Sequence, residues 1–228
     1  MAAAHPPLVD AKVAAAVCMA LTDTLRLRRF RPRERLTDFG RLLAWSVQVG
    51  TITAPLAERL GGAGLDARAA ATAVRAQGLR EAFYRVVEAI VTALEPPRED
   101  IALLNREFSE AMSHLRLVWR DGVFATEWAA TSDPAQVLWP VAQAAAAVLT
   151  TAAIRSRIRL CANAACGRLI IDTTKGGNRR WCDMSKCGNR AKARRHYERI
   201  KEQRLASPGD RLSSPDAGPS TSEEEGAD

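Results

Sequence analysis

Apolar residues recur at helical spacing through the first two thirds of the chain. Residues 8–29, rich in Ala, Val and Leu, predict a helix, followed by a polar connection of Arg28, Arg29, Arg31, Arg33 and Arg35 around Pro32. Thr37 or Asp38 is placed to cap a second helix with Phe39, Leu42, Leu43, Ser46 and Val47 on one face. A short helix follows Thr53, tolerating Pro55 in its first turn, and Gly61, Gly62 and Gly64 stop it. The next begins near Asp66 and runs towards Leu94, with Leu79, Phe83, Val86, Val87 and Ile90 at helical spacing. Gly78 inside it costs about 1 kcal/mol relative to Ala.

Glu95-Pro96-Pro97 ends that helix, and Glu99 to Leu115 predicts another through Leu103, Leu104, Phe108, Ala111 and Met112. The period then changes. Leu115, Leu117 and Trp119 alternate, Asp121-Gly122 supplies a tight turn, and Val123 to Trp128 returns as the second strand of a hairpin. Asp133-Pro134 opens a last helix with Leu138, Val141, Ala145, Val148 and Leu149 facing inward. Residues 1–154 therefore read as a mainly α domain with a small β-hairpin, an α+β arrangement.

With 228 residues, 47% of them apolar, the chain can bury a core and hold one large or two modest domains. No run approaches the ~18 apolar residues of a membrane span. The longest, Val13 to Leu21, is preceded by only one cation, Lys12, which argues against a signal peptide. No membrane partner is expected, and the expected location is the cytoplasm.

The net charge of +7 is local rather than general. Residues 1–154 carry 17 Lys and Arg against 16 Asp and Glu, residues 155–206 carry 15 against 4, and residues 207–228 carry 1 against 6. A field of +11 in the second segment attracts polyanions, whereas a charge run alone is more often a solvated surface. The last segment, 207–228, is Ser, Pro, Gly, Asp and Glu, and reads as a disordered acidic tail that solubilises or competes for the basic surface.

Four of the five cysteines fall inside the basic segment as Cys161-x4-Cys166 and Cys182-x4-Cys187, fifteen residues apart. Two pairs at this spacing converge on one tetrahedral ion, and zinc in a closed four-thiolate site is the expected occupant. An iron–sulfur cluster uses the same ligands, and two disulfides the same count. Arg159, Arg168, Arg180 and Lys186 are placed to offset the thiolate charge. Between the pairs, Arg168 to Asp172 predicts a strand, Gly176-Gly177-Asn178 its turn and Arg179-Arg180-Trp181 the returning strand; Cys187 opens a helix through Arg204. Residues 155–206 thus predict a zinc-bound β-hairpin plus helix, a treble-clef- or ribbon-like finger whose folding energy comes mostly from the metal. Trp181 is expected to pack on Leu169, Ile171 or Tyr197, and Ala193, Tyr197 and Ile200 to cover the module.

The rest of that last helix is cationic. Arg190, Lys192, Arg194, Arg195, His196 and Arg199 are the candidate nucleic-acid contacts, with Arg able to reach guanine bidentately. Asn189 caps the helix, fixes a loop or touches a base edge. Outside the finger, His114 among Met112, Leu115 and Leu117 and Cys18 among alanines read as packed residues. His114, Glu110, Trp119 and Trp139 could line a pocket, but no nucleophile–base pair, phosphate loop or open metal site accompanies them, and no enzyme is expected.

The run Arg180-Trp181-Cys182 and Cys187-Gly188-Asn189-Arg190-Ala191-Lys192-Ala193-Arg194-Arg195-His196-Tyr197, with the first cysteine pair, resembles the CGNR zinc-finger family. Upstream, Leu79-Arg80-Glu81-Ala82-Phe83-Tyr84, Leu103-Leu104-Asn105, His114-Leu115 and Trp139-Pro140-Val141-Ala142 are similar to the ABATE domain that usually precedes this finger. The resemblance implies a bacterial, stress-induced transcription regulator, maps Cys161, Cys166, Cys182 and Cys187 to the zinc-ligand positions, and makes duplex DNA the partner. The chain departs from the family at Asp23-Thr24, where an Asn-Thr step is usual; an altered ligand pocket is the consequence if that Asn serves one. The expected protein is a one-component DNA-binding regulator, nucleoid-associated when bound, whose first domain senses a small molecule or forms a homodimer. The alternative is an RNA- or protein-binding zinc adaptor.

Overall fold

The computed structural model describes residues 10–62 and 67–206. The acidic tail expected over 207–228 lies outside the described residues. In chain order the elements are α1 (Ala11–Thr22), β1 (Leu25–Arg26), β2 (Arg33–Glu34), α2 (Phe39–Gln48), α3 (Ala54–Gly62), α4 (Ala67–Val91), α5 (Arg98–Ser113), β3 (Leu115–Arg120), β4 (Val123–Trp128), α6 (Trp139–Thr150), α7 (Ala152–Arg155), β5 (Ile158–Leu160), β6 (Leu169–Ile171) and α8 (Asn189–Ala206). The fold is mainly α, with three two-stranded antiparallel sheets among the described residues.

The core forms around α6. Every side chain from Trp139 to Ala145 is buried, because the helix is apolar on all sides and packs against α1, α5 and α4. Alanines on α1 and α6 let the two helices approach closely, while Leu79, Phe83 and Val87 of α4 fill the space beneath them. Each such side chain contributes about 1.5–3 kcal/mol when fully buried.

The helix expected over residues 8–29 is shorter. Asp10 caps it by accepting from the Lys12 and Val13 amides at 2.8 and 3.2 Å, and it stops at Thr22. There the Thr22 and Thr24 hydroxyls turn back to the Met19 and Leu21 carbonyls at 3.0 and 2.6 Å, and Leu27 takes a left-handed φ of 54°. The chain reverses, and the Arg-rich connection becomes the small β1–β2 hairpin rather than open loop. Its purpose lies in α4. Arg80, 2% exposed, donates to both Glu34 carboxylate oxygens at 2.8 and 2.6 Å, to Glu81 at 2.8 Å and to the Thr24 hydroxyl at 3.0 Å. A buried guanidinium is tolerable only with its donors satisfied in this way.

The β3–β4 hairpin forms as expected. Asp121 and Gly122 both adopt positive φ, 51° and 82°, the requirement of a type I′ turn, and the register pairs Arg120 with Val123 and Leu115 with Trp128. At its base Trp128 approaches Trp139 at 5.9 Å, and His114 stacks on Trp139 at 4.1 Å. At its tip Leu117, Trp119 and Phe124 stay exposed on one face. Glu110 is held by Arg75 at 2.6 Å and Trp119 by Phe124 at 4.7 Å, so of the four residues considered for a pocket only His114 and Trp139 meet. Cys18 is fully buried in the core, and burial pushes its thiol up.

The C-terminal part differs in pairing. The strand at Leu169–Ile171 forms, but its partner is β5, with Ile158 opposite Ile171 and Leu160 opposite Leu169. Residues 179–181 are not a strand, because their polar groups serve the turn at Asp172 and the metal loop described below. Ile158 and Leu169 are buried in the same core cluster as α1 and α4, so the β5–β6 hairpin rests on the helical part.

Candidate metal centre and nucleic-acid interface

The loop joining β5 to β6 carries the first cysteine pair. Its ends are tied where the Cys161 amide donates to the Arg168 carbonyl at 2.9 Å, and the Cys166 amide to Asn163 at 2.8 Å. Gly167 closes the loop at φ +66°; a Cβ there would lie 3.0 Å from Arg29 Cγ and 3.3 Å from Arg28 Cβ. Both its backbone sign and its close approach to the β1–β2 connection call for glycine. Cys182 ends the following loop. That loop is organised by Asp172, which accepts from the Thr174 and Arg179 amides at 3.0 and 2.9 Å. Cys187 arrives in a wide helical turn, Met184–Gly188, which runs directly into α8.

The four sulfurs lie within 4.8 Å of one another, with Cys166 to Cys182 at 3.6 Å and Cys182 to Cys187 at 3.5 Å. A tetrahedral ion with bonds of about 2.3 Å to sulfur sets its ligands about 3.8 Å apart. The cage therefore fits one ion of zinc's size, is too narrow for a multi-iron cluster, and places the thiols well beyond disulfide bonding. Three N–H donors point at the sulfurs: the Asn163 amide at Cys187 and the Cys182 backbone N–H at Cys161, each at 3.5 Å, and the Arg168 backbone N–H at Cys166. Burial pushes the Cys166 thiol up and the Cys182 thiol to about 11. Cys187 moves the other way: burial opposes its ionisation, but hydrogen bonds from Cys182 and Asn163 outweigh it. Its place in the first turn of a helix favours the thiolate as well.

The charged side chains expected to neutralise the site are engaged elsewhere, although the Arg168 backbone N–H reaches Cys166. Arg159 donates to the Ser156 and Ile158 carbonyls, Arg168 to Asp23, Arg180 lies over the Trp181 ring at 5.5 Å, and Lys186 faces Asp183 at 4.0 Å. Hydrogen bonds from neutral N–H groups stabilise the sulfurs instead. Sequence reasoning missed Asn163, whose position between the first two cysteines is its only signal. It also missed Arg179, which looks like a free cation but donates to the carbonyls of Trp181, Cys182 and Ile171.

The helix start is corrected too. The cap is Asp183, accepting from the Lys186 amide at 3.1 Å, and Asn189 is already helical and exposed. Trp181 packs against the cysteine cluster rather than Leu169, Ile171 or Tyr197. Gly188 permits that packing: a Cβ on it would meet Trp181 Cδ1 at 3.4 Å and collide with Met184 Sδ. Tyr197 is 70% exposed and Ala193 exposed, so the stripe with Ile200 does not cover the module.

Helix α8 consequently leaves the metal turn as a solvent-exposed rod of about 27 Å for its 18 residues. Asn189, Arg190, Lys192, Arg194, Arg195, His196 and Arg199 are all exposed on it. Arg194 is paired with Glu198 at 2.7 Å, Arg199 bonds His196 at 3.0 Å, and Arg195 reaches the Ala191 carbonyl at 3.4 Å. The side chains of Arg190 and Lys192 have no partner among the described residues.

Comparison with known proteins adds two matches. The family model of the CGNR zinc finger covers residues 157–200, and that of ABATE, described as "Putative stress-induced transcription regulator", covers residues 15–152. No curated protein matches the chain. The finger's name and the four-thiol cage agree on one structural zinc ion. Neither family is of an enzymatic type, and no helix among the described residues is long and apolar enough to cross a membrane. Since the ABATE match extends over more than half of the 228 residues and is followed at once by the finger, the chain belongs to the ABATE family, with a CGNR zinc finger joined to it.

Proposed function

We propose that this protein is a cytoplasmic, non-enzymatic transcription regulator that binds duplex DNA through α8, becoming nucleoid-associated when bound. Cys161, Cys166, Cys182 and Cys187 ligate the zinc, residues 155–206 form the DNA-binding unit, and residues 1–154 the sensing or dimerising one. The observation that carries this reading is the exposed basic face of α8 springing from the metal turn. A helix that buries little of itself has no structural use for seven Lys and Arg against two Glu, whereas a phosphate-lined groove has one. Arg190 and Arg194 lie one turn apart and are the residues assigned to base edges; Asn189, Lys192, Arg195, His196 and Arg199 serve the backbone. The exposed apolar tip of the β3–β4 hairpin supports a homodimer, which would present two fingers to one site.

The test is competition. Zinc-loaded protein is bound to a labelled duplex and challenged with single-stranded RNA of equal length at two salt concentrations. Duplex is expected to hold the protein, with affinity falling steeply with salt. Preference for the single-stranded RNA would replace the regulator by the adaptor.

A further inference from the structure

Between α1 and the finger strand β6 lies a cleft of about 950 Å³. Its apolar lining comes from Ala15, Ala16 and Met19 of α1, Ile154 of α7 and Ile171 of β6. Five cations and two carboxylates border it, and they are not equally available. Asp23 and Arg168 satisfy one another, Asp172 is occupied by Thr174 and the Arg179 amide, and Arg179 is committed to backbone carbonyls. Arg157 gives one bond to the Thr174 carbonyl at 3.1 Å, while the ammonium groups of Lys12 and Lys175 have no partner among the described residues. The cleft thus combines an apolar floor with a positive rim on which Lys12 and Lys175 are unpartnered among the described residues and Arg157 is shared with Thr174 and the nearby Asp172 carboxylate, at the upper end of the ~300–1,000 Å³ typical of small-molecule sites.

We propose that this cleft binds a small organic anion, with its aromatic or aliphatic body against α1 and β6 and its carboxylate or sulfonate facing Lys12, Arg157 and Lys175. The Asp23–Arg168 pair forms one wall, and the ligand lies across the seam between the helical part and the finger. Binding there is linked to the seating of the finger, and by reciprocity to whatever α8 binds. Only the ligand's role as an effector rests on the regulator reading; the binding itself does not.

The probe is 1-anilinonaphthalene-8-sulfonate titrated into the zinc-loaded full chain, beside its uncharged counterpart N-phenyl-1-naphthylamine. One saturable site is expected, with the sulfonate bound about tenfold more tightly than the neutral compound. Ala16→Trp, which fills the cleft, and the double variant Lys12→Glu with Lys175→Glu should each weaken the sulfonate at least about tenfold with zinc content unchanged. Phe124→Ser at the hairpin tip should not. Absence of binding by the parent protein, equal affinity for both compounds, indifference to Ala16→Trp, or loss in Phe124→Ser overturns the proposal. Loss of all duplex binding beside an intact sulfonate pattern would remove the regulator reading and leave the cleft standing.

Discussion

Arg168, at the foot of β6, donates through Nε to Asp23 Oδ1 at 2.6 Å and through its terminal nitrogen to Asp23 Oδ2, clasping the finger to the end of α1. The pair is about a third exposed, 32% and 29%, so solvent screens it and its coupling is about 0.5–1 kcal/mol despite the bidentate geometry. A double-mutant cycle with Asp23→Ala and Arg168→Ala, read by urea unfolding, should return that coupling. Both single variants should speed amide exchange in β5 and β6 without loss of zinc. A coupling of zero would mean that the finger is seated by Ile158 and Leu169 alone.

Metal removal should act on two levels. Purified protein is expected to hold about one zinc per chain, and Cys182→Ser to lose it and unravel the loops between 161 and 188. Because Ile158 and Leu169 belong to the helical core, the same variant should also lower the stability of residues 10–155 by a few kcal/mol, about 1.5–3 for each side chain uncovered. Zinc analysis with thermal unfolding checks both. Stoichiometric iron or sulfide, or an unchanged helical transition, would contradict the assignment.

Acid sensitivity should centre on Arg80. Burial alone would raise the pKa of Glu34 and Glu81, but hydrogen bonds and charge from Arg80, joined by Arg28 at Glu81, hold both below the ordinary glutamate value. A depressed folded pKa means stability that is fully present above the unfolded value and lost as pH falls through the folded one. Glu34→Gln should therefore flatten the acid limb of the stability curve, and at neutral pH cost about 3 kcal/mol because Arg80 keeps its burial and loses its bidentate partner. Parallel acid limbs for parent and variant would show that the cluster does not set the pH dependence.

Most helices and the β3–β4 hairpin were legible because their signals are local: i, i+4 apolar spacing, Asp38 as a cap, and the Asp121-Gly122 turn, whereas the Asp10 cap and the stop at Thr22 were not. The β5–β6 pairing was not. Ile158–Leu160 is flanked and interrupted by Arg157 and Arg159 and reads as charged connection, while its burial comes from α1 and α4, far away in sequence. Arg179 to Trp181 shows the opposite error. It has strand-like composition, yet its donors are claimed by Asp172 and by the carbonyls around Cys182. The four cysteines were recognisable from spacing alone, whereas Asn163 and Arg168 acquire their roles only once the loops are folded. The exposure of Tyr197 was likewise hidden, since an Ala-Tyr-Ile stripe looks the same whether or not anything packs on it.

The most direct test of DNA recognition by α8 is selection from a random duplex pool with zinc-loaded protein, repeated with Arg190→Ala, Arg194→Ala and Arg199→Ala. The parent is expected to enrich one sequence motif. Arg190→Ala, whose guanidinium is unpaired, and Arg194→Ala, which must leave Glu198 to reach a base, should each lose about 1–3 kcal/mol of discrimination at one base position. Arg199→Ala should keep the motif while reducing affinity for all sequences and lowering the salt slope by about one. Failure of the parent to enrich any motif, or recovery of the same motif with the same selectivity by all three variants at unchanged zinc content, would contradict it.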